Sequence, residues 1–125
     1  MGNRHVHELS IAQNILEIVR QSVPEDELED VRVIRLKVGT FSGVVAESLD
    51  FCVSAVVAGT SLSGAKLAID HVPFRIRCQT CEREFTNDLG YVACPECGGV
   101  ETTVVSGREL QVTEIELDDH QQGTP

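Results

Sequence analysis

The chain has 125 residues and a formal charge of −10, with twenty acidic residues against ten basic, one Tyr and no Trp. That composition disfavours nucleic acid, because phosphate backbones are held by clustered Lys and Arg and single strands by aromatic stacking. No apolar run approaches the ~18 to 20 residues that span a bilayer, and the N-terminal MGNRHVHELS lacks the apolar core of an export signal, so the expectation is a cytoplasmic chain with no membrane role.

From His7 to about Ser22, apolar residues recur at Leu9, Ala12, Leu16 and Val19, broadened by Ile11, Ile15 and Ile18. This is helical periodicity with one buried face. Pro24 and the acidic run Glu25, Asp26, Glu27, Glu29 and Asp30 predict a solvated loop. Val31 to Val38 alternates Ile34, Leu36 and Val38 with Arg35 and Lys37, a strand pattern that stops at Gly39. Ser42 and Gly43 open a predicted second helix of about fifteen residues, striped by Val45, Leu49, Cys52, Val53 and Val56 and stopped by Gly59. Cys52 lies on that stripe, so it reads as a small buried hydrophobe. Glu47, in the first turn, suits the helix dipole.

Ala65 to His71 alternates again and ends at Pro73, giving a second strand with His71 at its surface end. Next come Cys78, Cys81, Cys94 and Cys97, spaced C-x2-C-x12-C-x2-C. Each C-x-x-C pair folds as a knuckle that aims two thiolates at one point, and two knuckles complete a tetrahedron of sulfurs about 2.3 Å from a Zn2+. Gly98 and Gly99 follow the second pair, where a knuckle needs positive φ and close backbone approach. Two disulfides are the alternative pairing. A reducing compartment and the odd Cys52 favour metal. Four thiols closing on one ion leave no open position for water, so the site is structural; Zn2+ and a single iron both suit it. The segment shows almost no aliphatic core of its own, so its order is expected to come from the metal. Arg108 to Leu117 returns to strand character, with apolar positions that shift phase between Val112 and Ile115.

The order predicts an α+β fold: a three-stranded sheet with two helices, plus an inserted zinc-ribbon-like four-cysteine lobe. Residues 1–73, completed by a returning strand at 107–119, make the α/β domain; 74–106 make the zinc-binding domain; 120–125 make a frayed tail. Enzymatic activity is not expected, since the sequence offers no Gly-rich phosphate loop, no nucleophile with its base and no justified carboxylate pair.

His7-Glu8 opens the first helix. Alone, it reads as an exposed His beside an acidic residue that favours the helix N-terminus. Four blocks together say more. His7-Glu8-Leu9-Ser10-Ile11-Ala12, Val38-Gly39-Thr40-Phe41-Ser42-Gly43-Val44-Val45, the four-cysteine array and Ser106-Gly107-Arg108-Glu109-Leu110 resemble the HypA/HybF family of hydrogenase maturation proteins, from His7 to about Leu117. The resemblance implies a non-catalytic nickel metallochaperone with a structural zinc lobe, its nickel site lying in the 1–73 domain. It implies delivery of Ni2+ to the [NiFe] hydrogenase large subunit with a maturation GTPase, and in some organisms service to urease through its accessory proteins. His7 matches the family's nickel-binding His, Glu8 the residue that assists or supplies a backbone nitrogen, and Cys78, Cys81, Cys94 and Cys97 the zinc ligands.

The pattern departs from the family at the start. The family begins Met-His-Glu, whereas Met1 to Val6 precede His7 here. Either Val6 marks the start, as a GTG codon would leave it, or the extension is real and His5 joins His7 in the nickel shell. The alternative function is a zinc-ribbon protein-interaction module without nickel transfer.

Overall fold

The computed structural model describes the backbone of residues 3–118 and the side chains of 7–118. The His5 imidazole and the tail expected at 120–125 lie outside the described residues. Helix α1 spans Asn3–Ser22, a 3-10 helix Glu25–Asp30 and strand β1 Val31–Gly39. Helix α2 spans Ala46–Val57 and strand β2 Lys66–Val72. The short strands β3 (Arg75–Cys78), β4 (Glu84–Thr86) and β5 (Thr102–Ser106) follow, and β6 (Leu110–Leu117) closes the order. Among the described residues no helix is long and apolar enough to cross a membrane.

The chain divides into two compact units. The first runs to Leu36 and takes in Val44–Ile69 and the chain from Val112 on; the second comprises Lys37–Gly43 and Asp70–Gln111.

In the first unit, α1 and α2 pack on each other. The buried face of α1 is Glu8, Ala12, Ile15, Leu16 and Val19, with Val23 buried just past its end; the helical positions fall on one side of a 3.6-residue helix. The apolar periodicity put Leu9 on that face and Glu8 at its edge. The two are the other way round: Glu8 is fully buried, while Leu9 is 39% exposed. Strand β1 lies between β2 and β6 in a three-stranded sheet, and its Val31, Ile34 and Leu36 are buried. Leu49, Cys52, Val53 and Val57 form the buried face of α2, so Cys52 packs as a hydrophobe. The predicted acidic loop is a 3-10 helix because Leu28 is buried within it. On β6 the accessibility alternation breaks at Thr113 and Glu114, where the apolar phase shifts.

Helix α2 begins four residues later than the Ser42 start predicted. Gly43 takes φ +85° and Val45 is extended, with no side-chain cap of its own. Backbone from Gly39 to Ser42 is engaged elsewhere: Phe41 N–H donates to Gly107 O at 2.7 Å and Ser42 N–H to Gly39 O at 3.1 Å.

The second unit carries its own sheet, with β3 between β4 and β5, both pairings antiparallel. Ile76 faces Phe85 on one side and Val104 on the other. Phe74 and Ile76 are buried, so the lobe expected to have almost no aliphatic core has a small one in which an aromatic ring takes the larger share. Phe41 meets Phe74 edge to face at 4.9 Å between centroids. Two glycines permit this packing. A Cβ on Gly39 would lie 2.1 Å from the carbonyl carbon of Gly107, and one on Gly107, at φ +114°, would lie 2.5 Å from Phe74 Cα.

Candidate metal centre

Strand β3 ends at Cys78, and the chain turns there through a knuckle that recurs sixteen residues on. Cys78 N–H donates to Arg83 O at 2.8 Å, and Glu82 N–H to Cys78 O at 2.9 Å. In the second knuckle Cys94 N–H donates to Gly99 O at 2.9 Å, and Gly98 N–H to Cys94 O at 2.8 Å. The fourth residue after the leading Cys has positive φ in both: Glu82 at 63° and Gly98 at 74°. Repeated geometry aims two thiol pairs at a common point. The Gly98 requirement was legible from Cys97-Gly98-Gly99; the matching demand on Glu82 was not, because a Glu carries no such signal.

The four sulfurs lie within 4.8 Å of one another. Cys78 Sγ is 3.6 Å from Cys97 Sγ, and Cys81 Sγ is 3.7 Å from Cys94 Sγ. A tetrahedron with metal–sulfur bonds of about 2.3 Å has edges of about 3.8 Å, so the donor set fits a four-coordinate metal ion. A Cβ on Gly99 would sit 3.3 Å from Cys97 Sγ and 3.7 Å from Cys78 Sγ, so the bare glycine leaves the sulfurs room. Cys78 and Cys94 are buried, Cys81 is half-buried and Cys97 is exposed.

The site's electrostatics rank the thiols. Cys78 is lowered from its ordinary 9.0 to about 6, chiefly by the Cys81 backbone N–H, with the Thr80 N–H helping and burial opposing. The Gly99 N–H favours the Cys97 thiolate, yet contacts with Cys78 and Cys94, with partial desolvation by the cluster, push Cys97 up to about 11. For Cys81 the Arg83 N–H lowers and burial raises, and the net direction is upward. Crowding therefore gives one ready thiolate at Cys78 and holds protons on Cys81 and Cys97, and a divalent ion would displace them.

A second feature lies in the first unit. His7 is exposed on α1 and Glu8 beside it is fully buried. Glu8 Oε2 accepts the Val45 N–H at 2.9 Å, while Oε1 has no hydrogen-bond partner. Val45 is the N-cap of α2, so Glu8 supplies across the fold the bond that a capping-box Glu supplies locally. The two residues are 37 apart in sequence, which is why sequence reasoning missed it. Thus the carboxylate of Glu8 is committed to α2, and the His7 imidazole points to solvent.

Known proteins resemble this chain closely. The family described as "Hydrogenase/urease nickel incorporation, metallochaperone, hypA" matches residues 6–117. The hydrogenase maturation factor HypA of Geobacter sulfurreducens is 42% identical over 113 residues, covering 90% of this chain and all of that protein. Its counterpart in Streptomyces avermitilis is 40% identical over 116 residues, covering 91% of this chain and 88% of that protein. In fold, the solution structure of the Ni metallochaperone HypA from Helicobacter pylori superposes with a TM-score of 0.61 at 16% identity, covering 89% of this chain and 97% of that one.

Proposed function

The chain belongs to the HypA family of nickel-incorporation proteins, and we propose that it is a non-catalytic nickel metallochaperone for hydrogenase maturation. Its first unit takes up Ni2+ as cargo at His7, and its second unit holds a structural Zn2+ on Cys78, Cys81, Cys94 and Cys97. The observation that carries the reading is the pairing of an exposed His7 with a buried Glu8 in the second turn of α1. Ligand chemistry separates the two metals: imidazole and amide nitrogens suit Ni2+ in a planar or octahedral shell, and a thiolate cage captures Zn2+.

The family's amide-nitrogen ligands carry a structural condition. His7 and Glu8 lie in helical backbone, where each N–H donates to the carbonyl four residues earlier. An amide nitrogen that binds metal gives up that bond, so loading unwinds the first turn of α1. Glu8, tied to Val45, is where the unwinding would stop. A site of this kind, with few side-chain donors at a helix end that frays, holds cargo loosely enough to pass it on. On this reading the recipients are a maturation GTPase and the [NiFe] hydrogenase large subunit, with urease accessory proteins as a further outlet. His5 adds a second imidazole where residues 1–5 are retained.

Transfer tests the function. The nickel-loaded protein should pass 63Ni to a purified nickel-free hydrogenase large-subunit precursor, and His7→Ala should severely reduce the transfer. Equal transfer by the variant would refute the reading. Absence of any nickel uptake beside full zinc would favour the protein-interaction module, a role that the exposed Leu89, Tyr91 and Val100 of the second unit would serve.

A further inference from the structure

Helices α1 and α2 leave an uncovered apolar groove of about 550 Å3 on the first unit, lined by Leu9, Glu47, Ser48, Phe51, Cys52 and Ala55. Phe51 is 74% exposed and Leu9 39%. A phenylalanine held that far into water forgoes most of the burial that makes the side chain favourable in a fold. Sequence patterning does not require it there, since Leu49, Cys52, Val53 and Val57 already supply the buried face of α2.

The charged residues of the groove lining and of the helix stretches beside it are acidic, and Arg20 of α1 lies three turns beyond Leu9. Residues 7–19 and 46–57 contain Glu8, Glu17, Glu47 and Asp50 and no Lys or Arg. Glu8 is spent on Val45. Glu47 stands one turn before Phe51 on the same helix face and Asp50 immediately precedes it; both are exposed, and neither forms an ion pair among the described residues. We propose that this groove is a docking surface for a partner segment that presents an apolar side chain flanked by Lys or Arg. The apolar side chain fills the space between Leu9 and Phe51, and the flanking cations meet Glu47 and Asp50. A second copy of the chain fits poorly, because docking would oppose two acidic rims in molecules that each carry a charge of −10. The surface is independent of nickel binding, so its failure would leave the nickel reading standing.

The test uses the full chain and three fluorescent peptides: an amphipathic Leu/Lys helix, the same residues scrambled to remove the apolar face, and the helix with Glu in place of Lys. Anisotropy should give at least about tenfold tighter binding of the Leu/Lys helix than of either control. Phe51→Ser, conservative for the fold because the ring is exposed, should weaken that binding about tenfold, and Glu47→Lys should weaken it as well. Amide shifts on adding the peptide should centre on α2, and His7→Ala should leave affinity unchanged. Equal binding of the scrambled peptide, undiminished binding by Phe51→Ser, or shifts centred elsewhere would overturn the proposal. Concentration-dependent dimers by sedimentation, lost in Phe51→Ser, would overturn it in favour of a second copy.

Discussion

Glu8 of α1 caps helix α2 by accepting the Val45 N–H at 2.9 Å from a position with no solvent exposure. The residue next to the proposed nickel imidazole is thereby a structural part of a different helix. Glu8→Ala removes a helix cap and leaves a polar N–H unpaired, so it should cost about 2 kcal/mol. Glu8→Gln keeps a carbonyl oxygen for Val45 and should cost less. Urea unfolding gives the magnitudes, and hydrogen exchange should locate the Glu8→Ala loss at residues 45–49. Equal loss from the two variants would mean that the negative charge, and not the accepted bond, is what matters.

The two cysteine knuckles share hydrogen bonds and positive φ, yet one has Glu82 where the other has Gly98. A left-handed conformation costs a non-glycine residue roughly 1–2 kcal/mol, partly offset by the greater chain entropy that glycine loses, about 0.5–1 kcal/mol. Glu82→Gly should therefore stabilise the protein by about 0.5–1 kcal/mol. Thermal unfolding of the metal-loaded variant checks it; a lowered midpoint would show that the Glu82 side chain contributes more than its backbone costs.

Gly39 and Gly107 meet backbone to backbone. Gly39→Ala inserts a methyl where 2.1 Å is available, and neither neighbour can yield as a side chain would. The expected loss exceeds the usual range of overpacking, about 1–3 kcal/mol. Nearly unchanged denaturant stability would show that the backbones separate at little cost.

For the metal-free protein the thiols set opposite pH dependences. The Cys78 pKa is depressed, so its contribution to stability is present in full above 9 and lost as pH falls through about 6. The Cys97 pKa is raised, so its contribution is present below 9 and lost as pH rises through about 11. Cysteine 13Cβ shifts should show Cys78 ionising first and Cys97 late. Reversal of that order would contradict the hydrogen-bond assignment of the first knuckle.

Metal removal should act on the second unit above all. A chelator, or Cys94→Ala, should destabilise the knuckles at residues 78–99, so that they melt at a lower temperature than α1 and α2, whose far-UV signal persists. The buried Phe74 and Ile76 are expected to keep some order in β3 after the metal has gone. Loss of both helices on chelation would show that the two units do not unfold separately.

Much of this was legible in the sequence for physical reasons. The cysteine spacing is a local constraint, and local constraints read directly: the four sulfurs do converge. Strand β1 was readable from its β-branched alternation. What escaped depends on distant partners. Glu8 looked like a surface carboxylate because its acceptor role is fixed by Val45, and Leu9 looked buried because periodicity cannot tell which edge of a broad apolar stripe faces the core. The second sheet escaped because β3 and β4 have only four and three residues, too few to show a period. The late start of α2 follows from a bond between Phe41 and Gly107 that no local pattern announces.

Nickel stoichiometry tests the central claim most directly. The purified full chain and its His7→Ala, His5→Ala and double variants, each with the N-terminus verified by mass, are equilibrated with Ni2+ and analysed for nickel and zinc by plasma mass spectrometry. Stoichiometric nickel is expected in the parent protein, severe loss in His7→Ala, complete loss in the double variant and zinc unchanged throughout. Stoichiometric nickel in the double variant would contradict that claim.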